Sequence, residues 1–321
     1  MKKGRKIFII TEAVLAVMVF LVAFAMLWER RGRNLDKISV IVENSDDTQW
    51  SAFKYGLRMA AEDNGVEMFF VSTGEELTVE EQQQMIQTEI DNGADAVIVQ
   101  PIPGAEEMLL KMERKIPVML VGYAPDGTGA SEFPAVGPDN YAMGAALAEE
   151  LLKDYEESLE GRTLGLLLES TDSQAILDRE QGFRDVAEKA GASVVWSMES
   201  SALGESAEVI AAQPKVDCVA ALDDASLTAA GAYSSSNVLQ EARVYGIGHS
   251  TEAAYYLDTG AVNCLIVPDE FNVGYQSLTE SAKNLRELWY RMRGTTVSYK
   301  AIRREELFTK ENQEILFTMS Q

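Results

Sequence analysis

The chain has 321 residues, with 51 acidic against 28 basic side chains and a formal net charge of −23. Such a balance disfavours nucleic acid and anionic membrane surfaces as partners, because phosphate contacts need clustered Lys and Arg. The composition, 46% hydrophobic, is that of a globular protein, and the block after residue 34 is long enough to divide into two lobes, since single cores stop growing near ~250–300 residues.

Met1-Lys2-Lys3-Gly4-Arg5-Lys6 is a basic start, residues 7–28 are almost wholly apolar, and Glu29-Arg30-Arg31-Gly32-Arg33 closes the segment with charge. At roughly 1.5 Å per residue the apolar run reaches ~30 Å, the thickness of a bilayer core, and it is longer than the ~7–15 residue apolar region of a cleaved signal peptide. It reads as an uncleaved transmembrane signal anchor. Glu12 lies near one end, where a carboxylate reaches the interface, and Ala23-Phe24-Ala25 offers the competing pattern of a peptidase site. The only cysteines are Cys218 and Cys264, so no lipid-modified cysteine follows the run. Basic residues flank it almost equally, and its orientation must come from the domain beyond.

Short β-branched runs then alternate with amphipathic stretches, the pattern of βαβ units and parallel sheets. Strands are predicted at residues 38–43, 68–72, 96–101, 117–123, 164–170, 193–198, 218–223, 244–248 and 262–267, with helices between them. Thr78 with Glu81 forms a capping box at the start of one helix, and Asn92-Gly93 ends it. A long helix is predicted from Phe271 to about Arg293, stopping at Gly294. Cys218 and Cys264 each fall in a predicted strand, as buried free thiols do. The coarse pattern duplicates, with about four βα units before Asp139 and about five after it. Ligands of open α/β sheets collect beyond the carboxyl ends of the strands. The loops there, at residues 43–50, 100–105, 122–129, 169–179, 223–226, 248–251 and 268–272, are the places for chemistry.

Six segments in order carry a family resemblance. Ile38-Ser39-Val40-Ile41-Val42 opens the first strand, and Trp50-Ser51-Ala52-Phe53-Lys54-Tyr55-Gly56 follows as an aromatic residue six before a glycine. Asp95-Ala96-Val97-Ile98-Val99-Gln100-Pro101 is an Asp-led strand ending in proline, and Pro138-Asp139-Asn140-Tyr141-Ala142-Met143-Gly144 carries Asp-Asn four before a glycine. Arg179-Glu180-Gln181-Gly182-Phe183 and Asp217-Cys218-Val219-Ala220-Ala221-Leu222-Asp223-Asp224 complete the series. Together they resemble the type I periplasmic binding proteins, in the ribose-binding-like branch shared with the ligand domains of lac-repressor-type regulators. The resemblance implies an α/β fold of two Rossmann-like lobes with parallel sheets, joined by a three-segment hinge and preceded here by the N-terminal transmembrane helix. The implied division is residues 1–34 for the basic start and anchor, 35–138 plus 269–297 for the N-terminal lobe, 139–268 plus 298–305 for the C-terminal lobe, and 306–321 for a tail. It also implies a small polar ligand, a carbohydrate, held between the lobes without metal or cofactor, and an extracytoplasmic domain on a single-pass anchor in the cell membrane.

A sugar offers hydroxyls to bond and C–H faces to stack on, so its cleft needs carboxylates or amides, an Arg and aromatic planes. By resemblance Trp50 stacks on the ligand, Asp47 makes a polar contact, Arg179 is the ligand-binding Arg, and Asp223 stands where an Asn usually binds. Tyr123, ending the fourth strand, and Asp139, at the crossover, complete the candidate set. Each has a plainer role beside the functional one. Arg179 could pair with Asp178 or Glu180 on a helix surface, Asp139 and Asp223 could cap helices, and Trp50 could pack in the core. His249, the only histidine, could be a loop residue or a ligand contact. The chain departs from the family at Gly122-Tyr123, Gly248 and Pro268, where polar sugar contacts usually stand, so a close ribose mimic is not expected.

Catalysis has little to rest on. The sequence has no Gly-x-Ser-x-Gly elbow, no P-loop and no His-Cys cluster with metal spacing. A regulator of the lac-repressor type carries a basic helix-turn-helix before the ligand domain, and the apolar run occupies that position here. Two binding roles remain, delivery of ligand to an ABC sugar transporter and sensing through a membrane histidine kinase, because either partner can read the same lobe closure.

Overall fold

The computed structural model describes residues 35–45, 48–74, 77–124, 133–199 and 208–316, together with Met18. The chain forms two units, Met1–Asp36 and Lys37–Gln321. In the first, Met18 is helical and exposed; the rest of the expected span at residues 7–28, and so the expected transmembrane helix, lies outside the described residues. Among the described residues no helix is long and apolar enough to cross a membrane.

The second unit opens with β1 (Lys37–Ile41), α1 (Ser51–Asn64), β2 (Glu67–Phe70), α2 (Val79–Asp91), β3 (Ala96–Val99), α3 (Glu106–Glu113), β4 (Val118–Val121) and β5 (Ala135–Pro138). It continues with α4 (Asn140–Lys153), β6 (Thr163–Leu168), α5 (Gln174–Lys189), β7 (Ser193–Glu199), α6 (Glu208–Ala211), β8 (Cys218–Ala221), α7 (Asp224–Ser235), β9 (Arg243–Ile247), α8 (Thr251–Thr259) and β10 (Cys264–Pro268). It closes with α9 (Glu270–Arg286), β11 (Thr295–Val297), β12 (Tyr299–Arg303) and α10 (Lys310–Leu316).

Two sheets form, in the orders β11-β5-β4-β3-β1-β2 and β12-β10-β9-β8-β6-β7. Every pairing is parallel except that of β12 with β10. The chain passes from the first sheet to the second after Pro138, returns after Pro268, and crosses again between β11 and β12. Three crossovers therefore join the lobes, and strand order reverses between β1 and β3 in one lobe and between β6 and β8 in the other. Those reversals are the switch points at which such sheets hold ligands. β3, β4, β8 and β10 are buried along their whole length. Strands covered by helices on both faces read as continuous apolar runs for this reason.

All nine predicted strands are present, several of them ending two residues before the predicted limit. Three more were hidden in the sequence. β5 contains Gly137 and Pro138, residues that weaken a strand pattern, while β11 and β12 are edge strands with half-polar faces. The Thr78–Glu81 capping box forms as predicted. The long helix does not run to Arg293: α9 stops at Arg286, because buried Glu280 accepts hydrogen bonds from Tyr290 Oη at 2.5 Å and Arg293 N at 3.0 Å and folds the next turn back. Cys218 and Cys264 are buried and free, with burial pushing their thiols up to about 11 and about 12.

The motif glycines are helix contacts. A Cβ built on Gly144 would lie 1.9 Å from the Arg179 carbonyl oxygen, and one on Gly182 would lie 2.0 Å from that of Tyr141, so α4 and α5 cross backbone to backbone. The first lobe repeats the device, with Gly56 against Phe271 O at 2.0 Å and Gly274 against Phe53 O at 2.2 Å between α1 and α9.

Candidate functional site

The site is built at the carboxyl ends of the strands, around the first crossover. Asp139 caps α4 by accepting from Ala142 N at 2.9 Å and is exposed. Asn140 follows it into the interior, where its Nδ2 donates to Gly122 O of the first lobe at 3.1 Å. Its Oδ1 accepts from Arg179 Nε of the second lobe at 2.9 Å. Arg179 Nη1 donates to Leu222 O at 2.9 Å, just beyond β8. The guanidinium is thus held between the crossover and the second-lobe switch point, on the helix that Gly144 and Gly182 draw close. A guanidinium carries five N–H donors; these bonds engage two of them.

The surroundings are acidic and polar. Burial holds the Arg179 guanidinium below its ordinary value, opposed first by Asp223 and then by Glu270, Tyr123 and Glu169. Tyr123, from the first lobe, has its phenol pushed up by burial, an effect that Arg179 opposes and Asp178, Glu106 and Glu43 reinforce. Glu270, the first residue of α9 after the second crossover, has its carboxyl raised by burial against the pull of His249 and Arg179. His249 Nε2 lies 2.8 Å from Gln49 O, a contact between lobes, while its backbone N donates to Asp224 Oδ1 at 2.7 Å.

Of the six candidates, Tyr123, Arg179 and Asp223 come together here. Asp223 is buried and already engaged. It accepts from Ser226 N at 2.7 Å, Ser226 Oγ at 2.9 Å and Glu169 N at 2.7 Å, which ties the loop after β6 to the start of α7. Asp139 has the capping role described above. Trp50 donates from Nε1 to Glu43 O at 3.0 Å and meets Phe53 edge to face at 5.5 Å, so its indole packs on the first-lobe core. Asp47 lies outside the described residues. Asn140, His249 and Glu270 are the site residues that the candidate set lacked. Asn140 stood within the crossover motif and His249 was the lone histidine of a strand-end loop, but Glu270 carried no local signal. Among the described residues no group of three or more His, Cys, Asp and Glu is arranged to hold a metal ion.

Residues 38–286 match the sequence profile of the Periplasmic binding protein domain. The chain belongs to that family. Its solved structural neighbours include a carbohydrate transporter solute binding protein from Agrobacterium radiobacter in complex with D-arabinose, at a TM-score of 0.77 and 17% identity over 88% of this chain and 99% of its own. GanP, a glucose-galactose binding protein from Geobacillus stearothermophilus, gives a TM-score of 0.73 and 19% identity over 86% of this chain and 100% of its own. A chain of the XylFII-LytSN complex gives 0.72 and 17% over 84% and 98%. At these identities the likeness is one of fold. Comparison with curated proteins yields no match.

The periplasmic-binding fold makes Glu270 informative about stability. Its folded pKa is raised above the unfolded value near 4.5, so its contribution to stability is full below that pH and is lost as pH rises through the folded value. At pH 7 the carboxylate is a cost. Glu270→Gln is expected to raise the melting temperature at pH 7 and to leave it nearly unchanged at pH 4. Melting curves at the two pH values check this, and an unchanged or lower midpoint at pH 7 contradicts it.

Proposed function

We propose that this protein is an extracytoplasmic receptor for a small neutral polyhydroxylated molecule, a monosaccharide, held to the cell membrane by residues 7–28. Closure of its lobes on the ligand would present it to an ABC sugar transporter. The observation that carries this reading is the placement of Arg179. It is bonded through Asn140 to the first lobe and through Leu222 O to the second, with Tyr123, Glu270 and His249 around it. A guanidinium with donors to spare, flanked by carboxylates and a phenol, matches a molecule that both gives and accepts hydrogen bonds. An anion fits poorly, because the carboxylates of Glu43, Glu106, Glu169, Asp178 and Glu270 act on Tyr123 and Arg179. Binding rather than catalysis is supported by His249, whose ring Nε2 lies against Gln49 O instead of a nucleophile. The sugars named with the neighbours from Agrobacterium radiobacter and Geobacillus stearothermophilus support a carbohydrate.

A second reading, a sensor subunit signalling to a membrane histidine kinase, is supported by the fold likeness to XylFII, a protein solved in complex with LytSN. Both roles require the same ligand site. A thermal-shift screen of pentoses, hexoses, polyols, amino acids and anionic metabolites tests it. A sugar present at ~100 times its dissociation constant stabilises the chain by about 2.7 kcal/mol, a shift of several degrees. Shifts with anions alone, or with nothing, would overturn the carbohydrate reading.

A further inference from the structure

The turn that ends α9 has a fixed shape and an unusual surface. Glu280 is 7% exposed and holds Tyr290 Oη and Arg293 N, Asn284 Nδ2 donates to Tyr290 O at 2.9 Å, and Met292 packs on the first-lobe core. From this anchored turn Leu288 and Trp289 project with 88% and 91% exposure, the highest of any large hydrophobic side chain among the described residues. Between Glu280 and Arg293 there are four cations, Lys283, Arg286, Arg291 and Arg293, against two carboxylates, Glu287 and the buried Glu280 that pairs with Lys283 at 3.3 Å, in a chain whose net charge is −23. The local balance is the reverse of the global one that disfavours anionic surfaces.

The position of the turn says what it faces. All strands of the first sheet are parallel, so they all begin at one edge. The turn feeds directly into Thr295, where β11 begins. At its other end Arg286 Nη2 donates to Gly65 O at 2.9 Å, two residues before β2, and Glu67 of β2 stands in register with Lys37. The turn therefore lies under the edge at which the chain enters the lobe at Lys37, opposite the edge that forms the ligand site. Only residues 29–36 separate that entry from the apolar run, and a fully extended chain of that length spans at most roughly 30 Å.

We propose that residues 286–293 dock on an anionic lipid surface, with Leu288 and Trp289 seated at the interface and the arginines on lipid phosphates. This rests on the reading of residues 7–28 as a membrane anchor. An interfacial Trp with flanking Arg residues is the composition that seats a soluble surface on a bilayer, and an exposed apolar pair held in a rigid turn marks an interaction surface. Docking there would orient the ligand site away from the bilayer.

The test uses the full chain reconstituted in vesicles containing about 30% phosphatidylglycerol with brominated acyl chains. Trp28, Trp50 and Trp196 are common to wild type and Trp289→Phe, so the difference in emission reports Trp289 alone. That difference should fall at least about twofold relative to unbrominated vesicles, as an interfacial side chain requires, and recover when Arg291 and Arg293 are both changed to Gln. If carbonate washing leaves the chain in the vesicles and Trp289 emission is unquenched, docking on lipid is wrong while the anchor stands, and the patch belongs to a protein partner or a second copy. If the chain washes off, the anchor reading fails and the docking proposal fails with it.

Discussion

Gly144→Ala is expected to destabilise the chain by about 3 kcal/mol, lowering the melting temperature by roughly 6–12 °C. The new methyl would lie 1.9 Å from the Arg179 carbonyl oxygen, 2.7 Å from its carbon and 2.9 Å from Cα. No rotamer relieves a clash between a Cβ and a main chain, so α4 and α5 must separate. The same separation displaces Arg179 from Asn140 and Leu222 O, so ligand affinity should fall along with stability. Glu149→Ala, an exposed change on the same helix, serves as the control and should move the midpoint by less than ~0.5 kcal/mol. A Gly144→Ala chain melting within a degree or two of wild type would show that the close crossing of α4 and α5 is not rigid.

Arg179→Ala carries the other large effect. Loss of a charge-assisted hydrogen bond to a ligand costs about 1.5–3 kcal/mol, roughly ten- to a hundredfold in affinity. The side chain also satisfies Asn140 Oδ1 and Leu222 O and faces buried Asp223 and Glu270. Its removal leaves those groups without their cation, so about 1–3 kcal/mol of folding stability should go as well. Arg179→Lys separates the two effects. It keeps the charge near the carboxylates but cannot reproduce the planar fork that reaches Asn140 and Leu222 O together, so stability should recover more than affinity.

How far the sequence reveals this molecule depends on how local each determinant is. Buried strands such as β3 and β10 are visible because covering by helices demands unbroken apolar runs, whereas β5 is masked by its own Gly137 and Pro138. The overlong α9 has an equally specific origin. Leu285, Leu288, Trp289 and Met292 keep a helical spacing across Arg286, while the buried Glu280 carboxylate, reaching Tyr290 and Arg293, and Asn284, reaching Tyr290 O, fold the turn back. Within the site, Arg179 lies in the second turn of a recognisable helix and Tyr123 just beyond a recognisable strand. Glu270 and His249 reach the same place through separate crossovers and strand ends, and no spacing along the chain relates them to Arg179. Asp139 and Asp223 show the opposite difficulty. Asp before a helix signals a cap and a polar contact equally well, and the hydrogen bonds to Ala142 N and Ser226 N identify the cap.

The proposed binding of a neutral sugar between the lobes on Arg179 is open to direct measurement. Titration calorimetry with the sugar giving the largest thermal shift, run on wild type, Arg179→Lys and Arg179→Ala, addresses it most directly. One-to-one binding to wild type is expected, weakened at least about tenfold in Arg179→Ala and intermediate in Arg179→Lys. Equal affinity in wild type and in a folded Arg179→Ala chain would contradict it.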